Sequence, residues 1–177
     1  MAYEYFAASL PALRFGATPP MEPAALLDAA RTNLAAGDFA ALEAALAGRD
    51  GPGFAGAWHA LDAQVRNAVA RARAARRPGG ADAAKWLRPH AGWSAAAEQG
   101  VAAAFQEADP MKRHLALARL RWDLAGEAAR TGIDPFSAAA VAAYGVRLSI
   151  LAGLAKIDPD AGLARLRAAS GLRPSAD

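Results

Sequence analysis

Residues 134–157 read DPFSAAAVAAYGVRLSILAGLAKI, and this stretch decides the fold class. Val141, Tyr144, Leu148, Leu151 and Ala155 recur at alternating spacings of three and four, which marks a helix turning one stripe toward other helices. Asp134-Pro135 opens it. An aspartate carboxylate accepts hydrogen bonds from first-turn N–H groups, and proline fits the first helical position, where its missing N–H is not needed. The same pair recurs at Asp109-Pro110 and Asp158-Pro159. Three consecutive helices of similar design follow, the first two ending near Gly132 and Ile157, with connections short enough to make them antiparallel neighbours. The segments share little beyond alanine and the Asp-Pro start, so they describe a bundle rather than a sequence repeat.

The same stretch is the one candidate membrane span. Between Pro135 and Ala155 its only charge is Arg147. An arginine near mid-membrane costs roughly 2.5–3.5 kcal/mol even on a lenient insertion scale. Ser137, Gly145, Ser149 and Gly153 weaken the apolar run further, and a buried central helix explains it better.

Working outward, composition supports the helical reading. Of 177 residues, 53 are alanine, the best helix former and a poor core filler, while Val and Ile together number eight. Many closely packed helices and no extensive sheet are expected. The fold expected is all-α, a single domain over residues 1–177 with about seven to eight antiparallel helices and sub-lobes at 1–50 and 51–177. There is no cysteine, which excludes disulfides, thiolate metal sites and cysteine nucleophiles. The first fifteen residues, MAYEYFAASLPALRF, carry Glu4 and lack the basic start of a secretory signal, so the cytoplasm is the expected compartment.

The first twenty residues read as a short extended piece laid against helices, with Tyr3, Tyr5 and Phe6 ahead of Leu10-Pro11. A first helix follows Pro23 and ends at Gly37; Asp38 is the expected cap of a second, with Phe39, Leu42 and Leu46 inward. Residues 48–56 form a glycine-rich loop. A long helix from about Ala57 to Arg77 is stopped by Pro78-Gly79-Gly80, Ala83–Leu87 make a turn or two, and Ser94 caps a helix to about Ala108.

Most catalytic motifs fail on context. Gly51-Pro52-Gly53-Phe54-Ala55-Gly56 matches the dinucleotide-binding pattern formally, but it follows a helix rather than a strand, and Pro52 removes a backbone donor. It reads as an interhelical turn. His59, His90 and His114 lie far apart without a partner one helical turn away, so neither a metal nor a cofactor is expected. Asp158 and Asp160 are accounted for by helix capping and the first-turn preference for acids. No nucleophile elbow or phosphate loop is present.

The strongest electrostatic feature is the basic stretch around Arg66–Arg77. Residues 64–90 hold seven basic side chains against Asp82 alone. On a helix, Arg66, Arg73 and Arg77 line one face, flanked by Arg71 and Arg76, opposite Leu61, Val65, Ala68, Val69 and Ala72. Three readings stand open for it: pairing inside the fold, an acidic protein partner, or nucleic-acid phosphates with steep salt dependence.

The order of several short motifs resembles a bacterial family of unknown function allied to the V-type ATPase C-subunit. They are the opening Tyr5-Phe-Ala-Ala-Ser9-Leu10-Pro11; Val65-Arg66-Asn67 with Arg71, Arg73 and Arg76; Ala108-Asp109-Pro110; Leu120-Arg121-Trp122; Ala143-Tyr144 with Arg147-Leu148; and Ile157-Asp158-Pro159. The chain is short for the three helical repeats of that C-subunit. The resemblance implies a non-catalytic, all-helical component of a proton- or sodium-translocating V/A-type ATPase. Such a component contacts the central stalk or rotor, takes no small-molecule substrate and meets the membrane only through that complex. On this reading Arg66, Asn67, Arg71, Arg73, Arg76 and Arg77 are the expected partner interface. A helical adaptor unrelated to ATPases and a basic nucleic-acid-binding module are the alternatives.

Overall fold

The computed structural model describes residues 3–129 and 134–170. Within them the chain forms α1 (Glu4–Ser9), α2 (Pro23–Asn33), α3 (Ala36–Leu46), α4 (Phe54–Ala75), α5 (Ala95–Ala104), α6 (Pro110–Ala129), α7 (Ala138–Ala155) and α8 (Pro159–Ser170). One 3-10 turn, Ala84–Trp86, interrupts the link between α4 and α5. No strand occurs among the described residues, and the eight helices hold about two-thirds of them, so the protein is all-α as expected.

Helix α7 is the centre. It packs against α2, α3, α4 and α6, while α4 packs in turn against α3, α5 and α6. By length and composition α7 could cross a membrane. In the fold it is a core helix: Val141, Val146, Leu148 and Leu151 are buried. The expected seam holds for Val141, Tyr144, Leu148 and Leu151, whereas Ala155 is exposed at the helix end. Alanine works here by being small. Ala30, Ala55, Ala97 and Ala125 are wholly buried, so helix backbones approach closely around Leu26, Leu42, Leu124 and Leu148. Gly145 marks the tightest approach to α2 and α3. A Cβ there would stand 2.9 Å from Leu42 and 3.2 Å from Leu26. One apolar core runs from Tyr3 to Leu148, so residues 1–50 and 51–177 share it.

Local capping signals held where nothing distant competed. Ser94 accepts from the Ala97 N–H (3.2 Å), Asp109 from Met111 (2.7 Å) and Asp158 from Asp160 (2.9 Å). They failed where Tyr3 intervened. The residues expected to be extended begin instead with α1, and Tyr3 ahead of it is buried. Its hydroxyl donates to Asp38 Oδ2 (2.5 Å) and accepts from the Ala35 N–H (3.2 Å). With that orphan donor satisfied, α3 starts at Ala36, Gly37 lies inside it, and Asp38 is a tether rather than a cap. The Tyr3 N–H also bonds the Phe136 carbonyl (2.8 Å), holding residues 134–136 outside the helix. Ser137 therefore caps α7 in place of Asp134, whose carboxylate accepts from the Phe136 N–H (2.8 Å).

Two further boundaries moved. Helix α4 begins at Phe54 because Phe54 and Ala55 are buried, and α5 ends at Ala104 because Phe105 turns into the core. The third Asp-Pro helix, α8, is not a packed neighbour: its described side chains are exposed apart from half-buried Ala161. Asp160, Arg165 and Arg167 leave it too little apolar surface to bury. The expected helix end at Gly132 lies outside the described residues.

Candidate functional site

The five arginines of the basic helix, Arg66, Arg71, Arg73, Arg76 and Arg77, are all exposed. Asn67 is buried; its amide donates to the Arg88 carbonyl and accepts from the Arg88 N–H, both at 2.8 Å. It clamps the α4–α5 link and is out of reach of a partner. Gln64, one turn earlier and also buried, holds the Ser94 backbone in the same way, with its amide donating at 3.0 Å and its carbonyl accepting at 2.9 Å.

Four of the five arginines are engaged within the fold. Arg71 forks onto both Glu98 oxygens (2.7 and 2.8 Å). Burial pushes the Glu98 carboxyl up, but its hydrogen bonds from Arg71 and Gln64 outweigh this and hold it below the ordinary range. Arg76 lies 4.8 Å over the Phe105 ring and donates to the Phe105 carbonyl, with Arg113 on the same ring at 5.3 Å. Arg77 stacks on Trp86 (5.4 Å). Arg66 donates from Nε to Asp62 Oδ2 at 2.6 Å, one turn back on α4. The exposed Arg73 side chain has no polar partner among the described residues.

Asp62 is the residue that sequence reading missed. Its carboxylate, buried in α4, also accepts from Arg121 of α6, Nε to Oδ1 at 2.7 Å. The Asp62-Arg66 spacing of one helical turn was visible in the sequence. Arg121, 59 residues away, was not.

This ion triad sits in the wall of a trough of about 730 Å³ among α3, α4, α6 and α7. On α4 the lining residues Trp58, Asp62, Val65, Arg66, Val69 and Arg73 follow one helical stripe. Val146, Ile150, Gly153, Leu154 and Ile157 form the α7 side, and His114, Leu117 and Arg121 the α6 side. The trough is thus apolar on its floor and cationic on its rim. Its single acid, Asp62, is matched by two arginines, and the unpartnered Arg73 adds to the positive excess.

A second recess of about 600 Å³ gathers three of the motif residues, Trp122, Tyr144 and Arg147, beside Leu13. Arg147 Nε donates to the Trp122 carbonyl (3.0 Å) and its guanidinium lies 5.2 Å over the Trp122 ring. Phe15 meets that ring edge-on at 5.7 Å, and Arg119 covers Phe15 at 5.3 Å. This alternating stack ties the N-terminal segment to α6 and α7. The Tyr144 hydroxyl is buried without a hydrogen-bond partner among the described residues, and burial raises its pKa. Ser9, Leu10 and Pro11 end α1: Ser9 Oγ donates to the Phe6 carbonyl (2.7 Å), and Leu10 turns the backbone extended. Asp109 and Pro110 start α6.

No group of acidic and histidine side chains that could hold a metal occurs among the described residues. The glycine-rich loop joins α3 to α4, with Gly53 at a positive φ of 58° as the α4 N-cap. Comparison with protein-family models, with curated proteins and with solved structures finds no match for the chain.

Proposed function

We propose that this chain is a non-catalytic, protein-binding helical component, and specifically a part of a proton- or sodium-translocating V/A-type ATPase akin to its C-subunit. On this reading it works in the cytoplasm, contacts the central stalk or rotor, and reaches the membrane only through that complex. The observation that carries the binding role is the cationic, apolar-floored trough. A concave apolar floor with a few charged groups converging on it supports a binding role. The ATPase as partner rests on the order of the short motifs from Ser9-Leu10-Pro11 to Ile157-Asp158-Pro159.

The nucleic-acid alternative has less support. Phosphate binding draws on several unengaged cations along one face, and here Arg66, Arg71, Arg76 and Arg77 already hold other groups. The test is affinity purification of the tagged chain from its source cells at physiological salt. Catalytic and stalk subunits of a V/A-type ATPase are expected to co-purify. Their absence overturns the assignment.

A further inference from the structure

We propose that the trough seats an acidic amphipathic helix supplied by another protein. This rests on the protein-binding reading above but not on the ATPase as partner.

Shape comes first. The α4 stripe from Trp58 to Arg73 is about 22 Å long at 1.5 Å per residue, enough for about four helical turns. Residues of α3, α4, α6 and α7 border this space, so it has the form of a groove between helices that a further helix can enter. Val69, Leu117, Ile150 and Leu154 are half-buried and Ile157 is exposed, leaving an apolar floor of the kind that takes i, i+3, i+4 and i+7 anchors.

Charge then selects the occupant. The chain's own α8 begins beside Ile157, but Arg165 and Arg167 outweigh Asp160, so it carries the sign of the rim. A second copy docking through the same face would set cation against cation, which is costly. Acidic side chains flanking an apolar helical stripe would instead meet Arg73 and His114, both exposed.

Gly153 provides the test position. It lines the trough, and a Cβ there meets nothing within 4 Å. The full-length tagged chain would carry p-benzoylphenylalanine at position 153, be irradiated in its source cells and be purified under denaturing conditions. Mass spectrometry then maps the adduct to a peptide. A probe at Tyr5, 95% exposed on α1 and outside the trough, is the control. The expected result is one dominant protein adduct, absent from the control. Its peptide should have apolar residues at helical spacing flanked by Asp or Glu. Joint reversal of Arg73→Glu and His114→Glu should lower the yield about tenfold. If that double variant fails to fold, a salt titration of adduct formation by the otherwise wild-type probe chain gives the same reading, yield falling as charge is screened.

The proposal is overturned by no adduct above the control, or by an adduct to lipid, nucleic acid, α8 or a second copy. A peptide lacking acidic flanks, or a yield unmoved by charge reversal and salt, also overturns it. An acidic helix from a protein outside any ATPase would support the inference while refuting the ATPase assignment.

Discussion

Replacing Asp62 with alanine is expected to destabilise the fold by about 2–3 kcal/mol, mostly through Arg121. The Asp62 side chain is 10% exposed, against 34% for Arg121 and 48% for Arg66. Breaking a fully buried pair costs about 3–5 kcal/mol because the surviving charge stays desolvated, whereas an exposed pair is worth about 0–1 kcal/mol. Arg121 lies between these limits, so it contributes about 2 kcal/mol; Arg66 can turn to solvent and contributes about 0.5 kcal/mol. For a domain of this size the loss lowers Tm by about 5–10 °C. Urea denaturation of Asp62→Ala, Arg121→Ala, Arg66→Ala and the two double variants apportions the effect by double-mutant cycles. Coupling to Arg121 should be about 1.5–2 kcal/mol, and coupling to Arg66 below about 1 kcal/mol. An Asp62→Ala loss under about 0.5 kcal/mol, or stronger coupling to Arg66, refutes the reasoning.

Gly145→Ala should cost about 1–3 kcal/mol by forcing Leu42 and Leu26 apart, read as a lower urea midpoint at unchanged slope. Tyr144→Phe should be neutral or stabilising by up to about 1 kcal/mol, since it removes a buried hydroxyl without a partner; a clear loss would reveal one. The depressed Glu98 pKa contributes stability that is present above its ordinary value of 4.5 and lost as pH falls through the folded value. Acid titration of stability should therefore flatten in Glu98→Gln. The Tyr3 pKa is raised by its hydrogen bond to Asp38, only partly offset by the one from Ala35. Its contribution is present below the ordinary value of 10.0 and lost as pH rises through the folded value. Tyr3→Phe should remove that alkaline step.

Whatever depends on neighbours within a turn or two was legible in the sequence. The caps at Ser94, Asp109 and Asp158 and the α7 stripe are local signals, and they placed most of the helices. Asp38 and Asp134 misled because Tyr3, distant in sequence, satisfied the α3 terminus and bonded the turn before α7. The arginines' partners were hidden for a related reason. A helical wheel shows which face Arg71 and Arg76 occupy, but not that Glu98 and Phe105 stand opposite them. Reversing Arg66, Arg73 and Arg77 together would break an ion pair and a ring contact along with any interface. Arg73→Glu alone isolates the surface effect. The trough was illegible because it exists only once α3, α4, α6 and α7 lie side by side.

The central claim is that the chain attaches to its complex through the trough. The most direct measurement compares ATPase subunits recovered with the wild type and with Gly153→Trp, which places a bulky indole at a trough-lining position with open space around it. The account predicts that the wild type brings down catalytic and stalk subunits, and that Gly153→Trp, with an unchanged helical circular dichroism spectrum, loses them. Equal recovery with both chains, or none with the wild type, would contradict it.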